Sequence, residues 1–289
     1  MTILDASTVM LLREHGQGVE VFMVKRQPTM AFMANAFVYP GGKLDAADKA
    51  ADMLDHVVGV EPAELSELLR VSCGRHAVGL YLAAIRETFE EAGVLLARRR
   101  DESDWVNLVG EDAARFGQYR QALNVGELSL AEVARLEDLV FPLKELGFLA
   151  HWITPPISEH RFDTRFFVAR LPAHQEPVHD TYENTESLWI KPEDAIQRSE
   201  LSDEFYVSPP TERTLSQLAR LGSADAVFDY VKGRRPPRVM SHLDLSTGTP
   251  ILLFPGDPDF PDDASYAHLE PLDDDVTRMV LKLPRSPKD

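Results

Sequence analysis

Arg86-Glu87-Thr88-Phe89-Glu90-Glu91-Ala92-Gly93-Val94 is the stretch from which the rest of the chain can be read. On a helix, Glu87, Glu90 and Glu91 fall at i, i+3 and i+4, so three carboxylates share one face. Bare, those charges repel. A divalent cation among them turns the repulsion into attraction, and carboxylate oxygens suit Mg²⁺ or Mn²⁺. Arg86 stands four residues before Glu90 and can pair with a carboxylate to hold it in place. Ala83, Ala84, Thr88 and Ala92 are small and let the helix lie close against a neighbour. Taken alone, an E-x-x-E-E run is more often a solvated charged face. Its context adds weight to the site reading: a strand ending in Pro40-Gly41-Gly42 lies upstream, and Gly93 sits where a C-cap glycine belongs.

Working outward, the N-terminal side reads as strands. Residues 7–13 (STVMLLR) and 19–26 (VEVFMVKR) are β-rich runs joined by a turn with two glycines, which predicts a hairpin. Residues 36–40 (AFVYP) form a third short run. Between 46 and 82 the pattern becomes helical: residues 46–58 read as helix-like, and Glu61-Pro62 starts a second helix. A longer helix runs over 76–92, and residues 111–123 and 130–139 also read as helices. A second β-rich block follows, with AHWIT at 150–154 and RFDTRFFVARL at 161–171. After an acidic loop at 179–187 come LWI at 188–190 and three short amphipathic helices. The segment from 236 onward is rich in Pro, Gly and Asp, with PILLF at 250–254 as its convincing strand. The order predicts an α/β or α+β sandwich with helices over a mixed sheet.

Composition limits the function classes. The chain has 289 residues, 44% of them apolar, enough for a sizeable core. With 30 Lys and Arg against 47 Asp and Glu, the net charge is −17. That argues against a nucleic-acid binder or a partner of anionic membranes, which need a basic face. An anionic small substrate stays open, because a metal ion or a few arginines can reverse the sign locally. Cys73 is the single cysteine, so an internal disulfide and a multi-cysteine zinc site are excluded. Residues 1–7 lack a secretory pattern, residues 287–289 form no recognised address, and the apolar runs at 21–24 and 251–254 are too short to span a bilayer. A soluble cytoplasmic protein is the expectation.

The motif RETFEEAGV, with PGGKLD at 40–45 upstream, resembles the Nudix hydrolase box: a glycine, five residues, a Glu, seven residues, then R-E-apolar-x-E-E-x-G-apolar. Arg86, Glu87, Glu90, Glu91 and Gly93 fill its fixed positions. At roughly 6% usage per residue type, such a match arises by chance on the order of once in several thousand chains of this length. Two departures stand out. Asp48 occupies the position of the box's first Glu, and an insertion of about thirty residues separates it from Arg86; Thr88 replaces the usual aliphatic residue. A split box of this kind, with HWITP, RFDTRFFVARLP, ESLWIKPEDAI and SPPT downstream, is similar to the branch containing peroxisomal coenzyme A diphosphatases and their bacterial relatives.

The resemblance implies an α/β Nudix fold over residues 1–235, a mixed sheet sandwiched between helices, with a helical insertion at about 49–80. Residues 236–289 are then an extension packed on it. It implies Mg²⁺- or Mn²⁺-dependent hydrolysis of a nucleoside diphosphate derivative. Coenzyme A or acyl-CoA comes first; NADH, ADP-ribose or a nucleotide sugar are alternatives, and a non-catalytic ligand sensor is the reading from another class. Glu87, Glu90 and Glu91 become metal ligands, joined by the Gly42 carbonyl, with Arg86 in support. Glu183, six residues before Trp189, matches a loop carboxylate that binds metal or acts as base; an exposed loop acid is the other reading, and Glu186 is a weaker candidate. Arg26, Arg161 and Arg165 are candidate phosphate partners, with pairing of Arg161 or Arg165 to Asp163 as the alternative. Phe32, Phe37 and Trp152 are candidates for stacking on adenine or for the core. His151 and His160 lack zinc spacing. A homodimer is compatible with the sequence.

Overall fold

The computed structural model describes residues 2–16, 18–246, 248–274 and 276–281; residues 287–289, read above as carrying no address, lie outside the described residues. Two long strands open the chain: β1 (Leu4–His15) and β2 (Gly18–Arg26) form the expected hairpin. Two short strands, β3 (Phe37–Val38) and β4 (Gly41–Lys43), follow; β3 pairs with β2 and β4 with β1. Then come β5 (Val57–Val58), α1 (Pro62–Leu69), α2 (Gly74–Ala92) and β6 (Arg98–Arg99). The middle of the chain holds α3 (Gly110–Asn124), α4 (Leu130–Leu136), β7 (Leu139–Pro142) and β8 (Gly147–Ile153). It continues through β9 (Phe162–Arg170), β10 (Asn184–Ile190), α5 (Pro192–Leu201), α6 (Pro209–Leu221) and α7 (Ala224–Val231). The last strands are β11 (Arg238–Val239), β12 (His242–Asp244), β13 (Ile251–Leu253) and β14 (Arg278–Val280).

The main sheet has the order β10-β2-β1-β9-β8-β11. Pairing is parallel between β1 and β9 and between β8 and β11, and antiparallel elsewhere, so the sheet is mixed. Alternation along β1 and β9 sends side chains to opposite faces. Val9, Leu11 and Phe167 meet α2 residues Leu80, Tyr81 and Phe89 on one side. Met10, Leu12 and Val168 meet Leu215, Leu218 and Val227 on the other. Two apolar layers thus clamp the sheet between helices, which is the expected α/β sandwich; each fully buried Leu, Phe or Met contributes about 1.5–3 kcal/mol.

The segment 46–58 corrects the helix expectation. It folds into two 3₁₀ turns, Ala47–Lys49 and Ala51–His56, before β5. The cause lies in Asp48, whose carboxylate accepts the Asp45 N–H at 2.9 Å and turns inward to an ion pair with Arg86. Pro62 does start α1, at its first turn. Beyond 236 there is more strand than residues 250–254 alone: β12, β13 and β14 form an antiparallel sheet. Phe254 is fully buried and meets Trp152 edge-on at 5.8 Å, inside the second apolar layer. No helix among the described residues is long and apolar enough to cross a membrane.

Candidate active site

The helix α2 carries the acidic motif in its last two turns. Nothing in Gly74–Ala92 breaks it, and Gly93 ends it in the left-handed conformation at φ 70°. Ala83, Ala84, Thr88 and Ala92 are all fully buried against the sheet side. That close approach turns the Glu87–Glu90–Glu91 face toward β4. Thr8 donates its hydroxyl to the Pro40 carbonyl at 2.7 Å, and Ser7 and Gly42 are register partners. The Gly41 N–H then donates to Glu91 Oε2 at 3.0 Å. A β-carbon on Gly42 would lie 2.3 Å from Glu87 Oε1, so a side chain there would displace the Glu87 carboxylate. The Pro-Gly-Gly turn and the acidic helix, some forty residues apart, therefore form one surface.

Arg86 organises that surface from below. Its Nε donates to Asp48 Oδ1 at 2.9 Å and Nη2 to Asp48 Oδ2 at 3.1 Å, a two-pronged pair. Nη2 also donates to the Lys43 carbonyl at 3.0 Å. Nη1 donates to Glu87 Oε1 at 2.9 Å and to Glu90 Oε2 at 3.0 Å. Asp48, whose role the sequence left open, is thus brought across the insertion to the helix.

Glu183 joins from the loop before β10. Arg26, ending β2, donates Nη2 to Glu183 Oε2 at 3.1 Å, and its Nη1 lies 3.6 Å from Glu91 Oε1. The loop is fixed by Asp180, which accepts the N–H groups of Tyr182 and Glu183 at 2.5 and 2.6 Å and the Asn184 amide at 2.5 Å. Asp180 was missed by sequence reasoning, though an Asp two residues before the turn is an Asx-turn signal.

Other candidates lie elsewhere. Glu186 is exposed and faces Lys25 at 3.9 Å. Arg165 is buried, donating to Asp5 Oδ1 at 2.8 Å, Asp163 Oδ1 at 2.9 Å and the Leu69 carbonyl at 3.3 Å. Asp5 also holds His76 at the start of α2, about 16 Å along the helix from Glu87. Arg161 donates to the Thr154 carbonyl at 2.9 Å. Of the three arginines, Arg26 is the one that reaches the carboxylates. Phe32 packs on Phe162, Phe37 on Phe205 and Trp152 on Phe254. His151 is buried and bonded to Asp163. His160 lies in the loop before β9, where its carbonyl accepts the Ser158 hydroxyl at 2.8 Å.

Electrostatics at the site are those of crowded acids. Six carboxylates (Asp45, Asp48, Glu87, Glu90, Glu91, Glu183) share two guanidiniums, Arg26 and Arg86. Burial pushes Glu87 up to about 8, with Arg86 opposing and Glu90 and Glu183 adding repulsion. Burial also raises Glu91, the Glu87 charge adding to it and Arg26 opposing, and raises Glu90 against the pull of Arg86. Among the described residues no three His, Cys, Asp or Glu side chains are gathered into metal-holding geometry; the carboxylates lie on arginines instead. Their chemistry nevertheless fits a hard divalent cation. The donor set is all oxygen, acid outnumbers base, and Glu91 Oε1 is buried with no hydrogen bond.

Comparison with known proteins places the chain among Nudix proteins. The acyl-coenzyme A diphosphatase NUDT19 of Xenopus laevis is 27% identical over 247 residues, covering 74% of this chain and 63% of that protein. The match thus spans less than two thirds of the frog protein. The acyl-coenzyme A diphosphatase NUDT19 of Homo sapiens is 26% identical over 280 residues, covering 86% and 74%. A crystal structure of a NUDIX hydrolase from Alicyclobacillus acidocaldarius superposes with a TM-score of 0.64 at 26% identity, covering 79% of this chain and 96% of that one. The NUDT19 Nudix domain family matches residues 72–221, just over half of the chain. That stretch takes in Arg86, the three helix glutamates and Glu183, while Gly42 and Asp48 precede it. The chain belongs to the NUDT19 Nudix domain family.

Proposed function

We propose that the protein is a Mg²⁺- or Mn²⁺-dependent Nudix diphosphatase that cleaves coenzyme A or acyl-CoA to 3′,5′-ADP and (acyl-)4′-phosphopantetheine. The observation that carries the reading is the gathering of four glutamates on two arginines, Glu87 and Glu90 on Arg86 and Glu91 and Glu183 on Arg26. Relatives named acyl-coenzyme A diphosphatase support the choice of substrate.

Glu87, Glu90 and Glu91, with the Gly42 carbonyl, would hold the cation. A bound divalent ion supplies neutralisation of the diphosphate and a water made acidic enough to attack at neutral pH. Arg86 keeps the Glu87 and Glu90 carboxylates in register and itself stays fixed by Asp48. Arg26 has a planar fork of donors at the edge of the acidic cluster and takes a phosphate oxygen there. Glu183, whose side chain is 49% exposed and pairs with Arg26 through Oε2, is the carboxylate that would accept the proton of the attacking water.

A substrate panel with Mg²⁺ tests the reading: coenzyme A, an acyl-CoA, NADH, ADP-ribose and a nucleotide sugar, with 3′,5′-ADP release followed by chromatography. Cleavage of the CoA compounds is expected. Cleavage of ADP-ribose alone overturns the CoA assignment, and no turnover of any compound points to a ligand sensor. Full turnover by Glu90→Gln and Glu91→Gln would overturn the catalytic assignment.

A further inference from the structure

The loop that carries Glu183 is stitched to the end of the acidic helix, and the stitch includes a side chain from a third element. The last carbonyls of a helix have no partner inside it. In α2 they are claimed by the loop: the Val178 N–H donates to the Ala92 carbonyl and the Asp180 N–H to the Glu91 carbonyl, each at 2.9 Å. Arg120, on α3, completes the set. Its Nε donates to the Glu90 carbonyl at 2.9 Å, and its Nη2 donates to the Glu91 carbonyl at 3.0 Å and to the Val178 carbonyl at 2.8 Å. One planar guanidinium thus bridges the last turn of α2 and the first residue of the stitched loop. A cation there also opposes the negative end of the helix dipole. The fit is tight: a β-carbon at Gly93 would lie 2.8 Å from Arg120 Nη1. The motif glycine therefore admits Arg120 as well as ending the helix.

Five residues beyond Val178, at Glu183, the geometry reaches the site. Asp180 is 5% exposed and accepts the Glu183 N–H, while the Gln27 N–H donates to the Glu183 carbonyl at 2.8 Å. Arg26, next to Gln27, receives the Glu183 carboxylate. We infer that Arg120 is a positioning residue: it docks the 178–184 loop on the end of α2 and so sets where Glu183 stands relative to Glu91. The inference rests on the role given to Glu183 above, but its geometry does not depend on which diphosphate is the substrate.

The test is a double-mutant cycle on the full chain, joined to amide hydrogen exchange. Arg120→Ala, Arg120→Lys, Glu183→Gln and the Arg120→Ala/Glu183→Gln double variant are compared in kcat and KM with Mg²⁺. If Arg120 acts through Glu183, Arg120→Ala lowers kcat by about tenfold with KM nearly unchanged, and the double variant is no slower than Glu183→Gln alone. Arg120→Lys, with three donors on one nitrogen, recovers part of the loss. Exchange across residues 178–184 rises about tenfold or more in Arg120→Ala while the β1 and β9 core stays protected. Multiplicative losses in the cycle, or unchanged exchange in that segment, overturn the inference. Should the wild type cleave nothing on the panel, the proposed function falls, and the exchange arm still decides for or against Arg120.

Discussion

Asp48 and Arg86 stand 38 residues apart in sequence and face each other as a buried two-pronged ion pair, at 2.9 and 3.1 Å. The same guanidinium holds Glu87 and Glu90. Asp48 is 2% exposed and Arg86 8%. The Arg86 guanidinium therefore links Asp48 to both helix carboxylates.

Replacing Asp48 should be costly for that reason. Asp48→Asn removes one charge of a buried pair and leaves Arg86 attached to Glu87 and Glu90. Breaking such pairs costs about 3 kcal/mol or more. Urea unfolding should show an unfolding free energy lower by that amount and a correspondingly lower midpoint, with kcat reduced further than the folded fraction accounts for. A variant with wild-type stability and kcat would show that Asp48 does not set the carboxylates.

Gly42→Ala tests the contact between the turn and the helix. The new β-carbon would lie 2.3 Å from Glu87 Oε1 and 2.5 Å from its Cδ. Either the Glu87 side chain swings off or β4 lifts away from β1. Overpacking of this kind costs about 1–3 kcal/mol. The expected outcome is a folded protein by circular dichroism with turnover down by tenfold or more, since Glu87 leaves its place. Retained turnover would mean that Glu87 need not stand where it does.

A third prediction concerns acid. His151 is fully buried, with Nε2 donating to Asp163 Oδ1 at 2.5 Å. Burial holds His151 down to about 4, with Asp163 opposing. Against the cost of its own burial, the bond from His151 and the charges of Arg165 and Arg238 hold Asp163 down to about 2. Both groups bind protons more readily unfolded than folded. Between the unfolded His value near 6.5 and about 4, stability therefore falls as pH falls, by on the order of 3 kcal/mol at most. Asp163 adds a further loss below 3.8. Stability curves of the wild type and His151→Gln, measured by urea from pH 4 to 7, should converge as pH drops. Parallel curves would refute the assignment.

The sequence carried the acidic helix well, because three features agree there: the spacing of Glu87, Glu90 and Glu91, the small residues behind them, and Gly93. The long strands were legible from alternation, as in Phe166 and Phe167 of β9, which enter opposite layers. Residues 46–58 were not, since helix-forming alanines there are overruled by the pairing of Asp48 with a residue far along the chain. Arg26 and Arg165 look alike in sequence. One sign separates them: Asp163 and Arg165 are two apart on a strand and so share a face. Arg120 gave no sign at all. It sits in a polar helix, and its partners are main-chain carbonyls that no side-chain pattern reports.

Metal binding should act against the apo protein's own strain, and Glu91 is the place to see it. The side chain is buried, its ionisation is opposed by burial and by Glu87, and its Oε1 has no hydrogen bond. Glu91→Gln removes that opposition yet keeps an oxygen to accept the Gly41 N–H. Without metal, the variant should melt higher than the wild type. With Mn²⁺ the order should reverse. A ligand at a hundred times its dissociation constant adds about 2.7 kcal/mol to the protein that binds it, and under the proposed role Glu91→Gln lacks one of the anionic ligands that would generate the affinity. Melting curves in chelator and in Mn²⁺, for wild type and variant side by side, read both signs in one experiment. If Mn²⁺ raises the two midpoints equally, Glu91 holds no metal and the cation, if bound, lies elsewhere on the chain.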